Sequence, residues 1–168
     1  MKRLILALVI GQGALAASAS AEISTCFTPG GNCAQFIVRQ IDAARTEMLV
    51  MAYGFTNAAI LTAIARAKER GVHVTALLDK SNTRNVQPER HCIDFLIDGR
   101  SGIAHNKVIV IDNRHVITGS FNFTEAAQKK NAENVLLIAN DPAVAQQFAA
   151  NFAELASKAR PSDFKPCP

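Results

Sequence analysis

Between residues 105 and 122 the chain reads His-Asn-Lys-Val-Ile-Val-Ile-Asp-Asn-Arg-His-Val-Ile-Thr-Gly-Ser-Phe-Asn. His105, Lys107, Ser120 and Asn122 supply a nucleophile, a cation and two neutral hydrogen-bonding groups. That set suits attack of a neutral imidazole on phosphorus, with fixed positive charge and neutral donors holding the non-bridging oxygens. The cluster lacks the carboxylates, thiolates or paired imidazoles of a metal cage, so neither metal nor other cofactor is expected. Taken singly, each residue has a commonplace explanation. A lone histidine at a strand end is usually structural, a lone lysine is a solvated edge charge, and serine and asparagine are common in turns.

What makes them a set is a hairpin. Val108 to Ile111 and Val116 to Thr118 are β-branched runs, and Asn113-Arg114 between them can form a two-residue turn. This turn predicts a register with Asp112 opposite His115, Lys107 opposite Ser120 and His105 opposite Asn122. Opposed residues share a face, as do residues two apart, so all four chemical side chains project together. Asp112 falls on the other face, where it is expected to anchor the turn by accepting backbone N–H groups. Gly119 marks a bulge or a close backbone approach.

The spacing H-x-K-x4-D, followed by x6-G-S-x-N, resembles the signature of the phospholipase D superfamily. His105, Lys107, Asp112, Gly119, Ser120 and Asn122 fill its fixed positions. The resemblance implies a phosphodiester hydrolase in which His105 attacks phosphorus to give a phosphohistidine. It also implies that Lys107, Ser120 and Asn122 hold the phosphate, that Glu133 hydrogen-bonds the imidazole, and that metal is not required. Such chemistry uses a second histidine as general acid, yet His105 begins the only His-x-Lys here; His73, His91 and His115 are followed two positions on by Thr75, Ile93 and Ile117. A homodimer with a shared active site is the expected solution, two hairpins meeting at a two-fold axis.

The small, secreted, single-motif members that the chain resembles are periplasmic endonucleases, which implies a nucleic-acid substrate. A phospholipase D acting on lipid head groups is the alternative enzyme. A binding module with a dead site is a third reading, and the intact residue set argues against it.

The elements that must position the hairpin alternate. Ile23 to Thr28 reads as a strand, followed by a helix capped by Asn32 and running to about Ala44, with Phe36, Ile37, Ile41 and Ala44 on its apolar face. Glu47 to Phe55 is a buried strand. A helix capped by Asn57 ends at Gly71, and Val72 to Leu78 is the next strand. This β-α-β-α-β order predicts an α/β fold: a mixed, mostly parallel sheet flanked by helices on both faces, with the catalytic hairpin in the sheet. Asp79 to Arg90 reads as a polar loop, shorter than the helix that the family resemblance leads one to expect there, and Cys92 to Ile97 as a strand. Beyond the hairpin, Thr124 caps a short helix, Glu133 to Ile138 resumes the sheet, and Asp141-Pro142 opens a last helix to about Arg160.

At 168 residues the chain is one domain by length. Met1 to about Ala21 reads as a secretory signal: a basic Lys2-Arg3 start, an apolar run from Leu4 to Ile10, and an Ala19-Ser20-Ala21 cleavage site. The run is too short to span a bilayer, so cleavage and export are expected, leaving residues 22–168 in the periplasm or outside, without a stable membrane anchor. Losing Lys2 and Arg3 lowers the formal charge from +4 to +2, a mildly basic balance compatible with a nucleic-acid substrate but not demanding one. Cys26, Cys33, Cys92 and Cys167 in an exported chain suggest two disulfides, with three pairings possible. Cys26 with Cys33 and Cys92 with Cys167 is favoured, since the first bond could tie a strand end to the next helix's first turn.

Overall fold

The structure, a computed structural model, describes residues 21–83, 93 and 95–162. Strand β1 (Glu22–Thr28) leads into helix α1 (Cys33–Ala43), β2 (Glu47–Ala52), α2 (Ala58–Glu69) and β3 (His73–Leu78). There follow β4 (Phe95–Ile97), the hairpin β5 (Lys107–Ile111) and β6 (His115–Gly119), α3 (Glu125–Lys129), β7 (Glu133–Ala139), α4 (Pro142–Ala156) and β8 (Arg160–Pro161). The helices start where short polar side chains can satisfy an orphan N–H. Asn32, Asn57, Thr124 and Asp141 accept from Gln35, Ile60, Ala127 and Val144, as the sequence predicts.

Among the described residues eight strands join one sheet in the order β1-β7-β6-β5-β2-β3-β4-β8. It is mixed, with helices on both faces, as expected. Parallel pairing, however, is confined to β2-β3-β4; every other neighbouring pair is antiparallel. The expectation of a mostly parallel sheet holds for strand direction alone, since β1, β2, β3, β4 and β6 run one way. The difference lies in the first crossover. After α1 the chain skips the places later filled by β7, β6 and β5, so β1 pairs with β7 rather than with β2.

Period-two alternation divides the core. Val50, Ala76 and Ile109 face Ile37, Ile41, Ile60 and Ile64 of α1 and α2, while Met51, Leu77, Val108, Val110 and Val116 face Phe152 and Leu155 of α4. The β5 strand is buried along its whole length, which accounts for its unbroken β-branched run.

The strand predicted over Glu47 to Phe55 ends at Ala52, and the last helix is also shorter than predicted. The strand read from Cys92 is described only over β4, with most of its start outside the described residues. The last helix ends at Ala156 rather than near Arg160. Pro161 disfavours helical geometry at Arg160, and these two residues pair with β4 as β8 instead. Cys26 and Cys33 are disulfide-bonded, joining β1 to the first turn of α1. Cys92, Cys167 and residues 1–20 of the expected signal lie outside the described residues.

Candidate active site

β2, β3 and β6 end, and β5 and β7 begin, along one edge of the sheet, the edge at which α/β sheets place ligands. Ala52 at the end of β2 pairs with Lys107 at the start of β5, and one step further the Tyr53 N–H donates to the Asn106 carbonyl at 3.1 Å.

The hairpin differs from prediction by one residue. Ile109 pairs with Ile117 and Ile111 with His115, so the connection is three residues, 112–114. Asp112 and Asn113 both take positive φ, 52° and 49°, and the Arg114 N–H closes on the Ile111 carbonyl. Aspartate and asparagine tolerate this region, and Asp112 is thereby drawn into the turn. The predicted pairs of Lys107 with Ser120 and His105 with Asn122 are therefore not the observed register.

A bulge at the far end restores the grouping. The N–H groups of Ser120 and Phe121 both donate to the Asn134 carbonyl, at 3.1 and 3.2 Å, which interrupts the alternation and re-aims the side chains. Gly119 makes the bulge possible: its φ is +142°, and a Cβ there would lie 2.3 Å from the Asn134 carbonyl oxygen. Ser120 answers with its own hydroxyl, which accepts the Asn134 N–H at 3.0 Å.

His105, Lys107, Gly119, Ser120, Asn122 and Glu133 accordingly line one open cleft of about 460 Å³. Within it His105 and Ser120 are exposed, whereas Lys107 is only 7 % exposed. Burying an ammonium is costly unless it is held. The Lys107 Nζ donates to the His105 carbonyl at 2.7 Å and stands 5.3 Å from the centre of the Tyr53 ring. Burial pulls its pKa down, and the nearby Glu133 carboxylate opposes that. Asn122 lines the cleft, and its Oδ1 is buried with no donor among the described residues.

Glu133 is in place but not bonded as expected. Its Oε1 accepts from the Asn131 amide at 2.9 Å, and among the described residues no hydrogen bond joins it to the imidazole. Its own N–H is held by the Thr28 hydroxyl, which also donates to the Ala127 carbonyl, so β1 and α3 together fix the start of β7.

Asp112 lies at the other end of β5, about 17 Å from Lys107 at ~3.4 Å per residue. It was expected to anchor its own turn, but it holds a neighbouring segment instead. Its carboxylate accepts the N–H groups of Arg45, Thr46 and Glu47 and the Thr46 hydroxyl. Burial would raise its pKa, and these bonds outweigh burial and bring it below the usual value.

Two residues near the cleft carry no motif signal. Tyr53 packs its ring edge-on to His105, centroids 4.6 Å apart. Asp79, fully buried at the end of β3, accepts the Ala104 N–H at 2.7 Å, one residue before the histidine. Tyr53 sits in an ordinary strand pattern and Asp79 opens a polar loop, so only the tertiary contacts reveal them.

A family model described as "Cardiolipin synthase, PLD-like domain" matches residues 37–156. The chain belongs to the phospholipase D superfamily. It is a phosphodiesterase-type hydrolase of that superfamily. It is 48% identical over 136 residues to a protein of Rickettsia conorii named phospholipase D, covering 78% of this chain and 68% of the relative. Human mitochondrial cardiolipin hydrolase is 28% identical over 145 residues, with 83% of this chain and 57% of the relative covered. Among solved structures, Nuc from Salmonella typhimurium, described as a phospholipase D family member, superposes with a TM-score of 0.80 at 33% identity, covering 85% of this chain and 99% of Nuc.

Proposed function

We propose that this superfamily member is an exported phosphodiesterase that cleaves nucleic acid through a phosphohistidine on His105. One observation carries the reading: an exposed imidazole shares a cleft with a buried lysine and the neutral groups Ser120 and Asn122. An imidazole nitrogen of His105 attacks phosphorus, an N–P bond forms and the P–O bond to the leaving group breaks. Lys107, Ser120 and the Asn122 amide stabilise the charge gathering on the non-bridging oxygens. The departing oxygen takes a proton from His105 of the partner subunit. That histidine then deprotonates water, whose oxygen attacks phosphorus and releases the first imidazole. Glu133 lies close enough to Lys107 for their charges to interact, and in this scheme it stabilises the charged forms around the histidine. No step of this scheme is assigned to a metal ion.

The shared site makes the working unit a homodimer. Export rests on the signal-like residues 1–21, and the Cys26–Cys33 bond suits an oxidising periplasmic or extracellular compartment. No helix among the described residues is long and apolar enough to cross a membrane.

Nucleic acid is favoured because the small, secreted, single-motif superfamily members that the chain resembles are periplasmic endonucleases. The lysines at 129 and 130 are also exposed just ahead of Glu133, where a polyanion could run. Phospholipid is the second reading. Relatives named phospholipase D and Ile103, 55 % exposed two residues before His105, favour it. The test incubates purified protein, residues 22–168, with plasmid DNA and in parallel with phosphatidylcholine vesicles, both in EDTA. Nicking that disappears in His105→Asn is the expected result. Head-group release without nicking establishes the lipid reading, and activity that vanishes in EDTA and returns with Mg²⁺ or Zn²⁺ removes the metal-independent mechanism.

A further inference from the structure

Resting on that reading of the cleft, we propose that Tyr53 is a positioning residue, its ring holding the plane of the His105 imidazole and the head of Lys107 in one attack geometry. The nucleophile has little else to orient it. His105 is exposed, and among the described residues no hydrogen bond reaches either of its ring nitrogens. A surface histidine free about χ1 and χ2 samples several rotamers, of which few aim a nitrogen at a phosphorus in the cleft. Against this, the Tyr53 ring stands 4.6 Å from the imidazole at an interplanar angle of 61°, an edge-to-face contact in the favourable range.

The same ring stands 5.3 Å from the Lys107 Nζ, within cation–π range. One aromatic side chain therefore touches both the attacking group and the cation that receives the developing charge. Its backbone completes the clamp, because the Tyr53 N–H donates to the carbonyl of Asn106, the residue between them. Tyr53 does not line the cleft itself, so it acts through its two neighbours and not on the substrate. The rigid end of β2 sets the ring's position, since the ladder runs unbroken to the Ala52–Lys107 pair beside it.

The contact needs the ring and not the hydroxyl. Tyr53→Phe is expected to keep kcat, whereas Tyr53→Leu and Tyr53→Met, of comparable bulk, should lower kcat about 10- to 100-fold, the scale of a misplaced reacting group, with KM little changed. The experiment follows hydrolysis of bis(p-nitrophenyl) phosphate by the wild type, these variants and His105→Asn, with melting temperatures alongside. In parallel, the imidazole proton resonances of wild-type His105, assigned by their loss in His105→Asn, report the ring current of Tyr53. Retention in Phe together with a kcat loss in Leu or Met at unchanged melting temperature supports the proposal. Equal kcat in a folded Leu or Met variant overturns it. Wild-type His105 resonances at random-coil positions overturn it whatever the variants do. Wild type no faster than His105→Asn instead overturns the phosphohistidine reading, an outcome distinct from a failure of Tyr53 alone.

Discussion

The two ends of strand β5 carry residues of one motif and treat them in opposite ways. At the turn end Asp112 is saturated: three backbone N–H groups and a hydroxyl fill its oxygens, and its pKa falls accordingly. At the cleft end the exposed His105 has no hydrogen bond on its ring among the described residues, and Lys107 is buried against a carbonyl and a ring. A saturated group contributes to folding and is unavailable for chemistry; an unsatisfied one costs stability and is held ready for a ligand. The motif thus combines a site with the brace that builds it.

This contrast predicts that mutations divide by readout. The largest effect belongs to His105→Asn, which in the proposed shared site removes nucleophile and general acid together. General acid–base catalysis alone contributes ~10²–10⁴-fold, so activity should fall below detection while the melting temperature stays near that of the wild type. Mixed dimers sharpen the point. Co-refolded wild-type and mutant chains should lose activity faster than the wild-type fraction falls, and a strictly linear decline would falsify the shared site.

Gly119→Ala should damage both properties, because a Cβ meets the Asn134 carbonyl at 2.3 Å in a left-handed conformation. Activity should drop by at least an order of magnitude along with a lowered melting temperature; an active variant of wild-type stability would show that the bulge does not aim Ser120 and Asn122.

Asp112→Ala should invert the His105 result, costing about 2–4 kcal/mol in urea titration through lost charge-assisted bonds, while the folded fraction keeps its kcat. The sign with pH follows from the depressed pKa. The Asp112 contribution is full above the ordinary carboxylate value near ~3.9 and is lost as pH falls through the lower folded value, so the mutant should show a flatter acid limb of stability. An unchanged acid limb would mean that Asp112 is not the brace.

The smallest effect is expected for Lys107 at high pH. Because burial lowers its pKa, phosphate binding should weaken as pH rises through a value below that of an ordinary lysine. Lys107→Arg should move this alkaline limb upward, read as KM against pH.

How much of this was legible in the sequence follows from the range of each interaction. The helix caps at Asn32, Asn57, Thr124 and Asp141 are local and were readable, as was the Cys26–Cys33 bond across seven residues. The membership of the cleft was readable because the motif specifies residue types. The register was not, because a two- and a three-residue turn fit the same letters, and the choice is made by the 45–47 loop pulling Asp112 into position. Tyr53 and Asp79 were missed for the same reason: the contacts that tie them to the cleft come from residues 25 to 54 positions away.

The pairing of β1 with β7 also governs when the molecule can be completed. Thr28 waits for Glu133, and Glu22 for Ala139, so a chain emerging amino end first carries an orphan strand until most of its length has appeared. Closing so long a loop is paid late and slowly in folding. Docking of the first strand is therefore a late event in assembly, and a chain halted before residue 133 presents β1 as an unpaired, Ile23- and Phe27-bearing edge open to strand exchange with its neighbours.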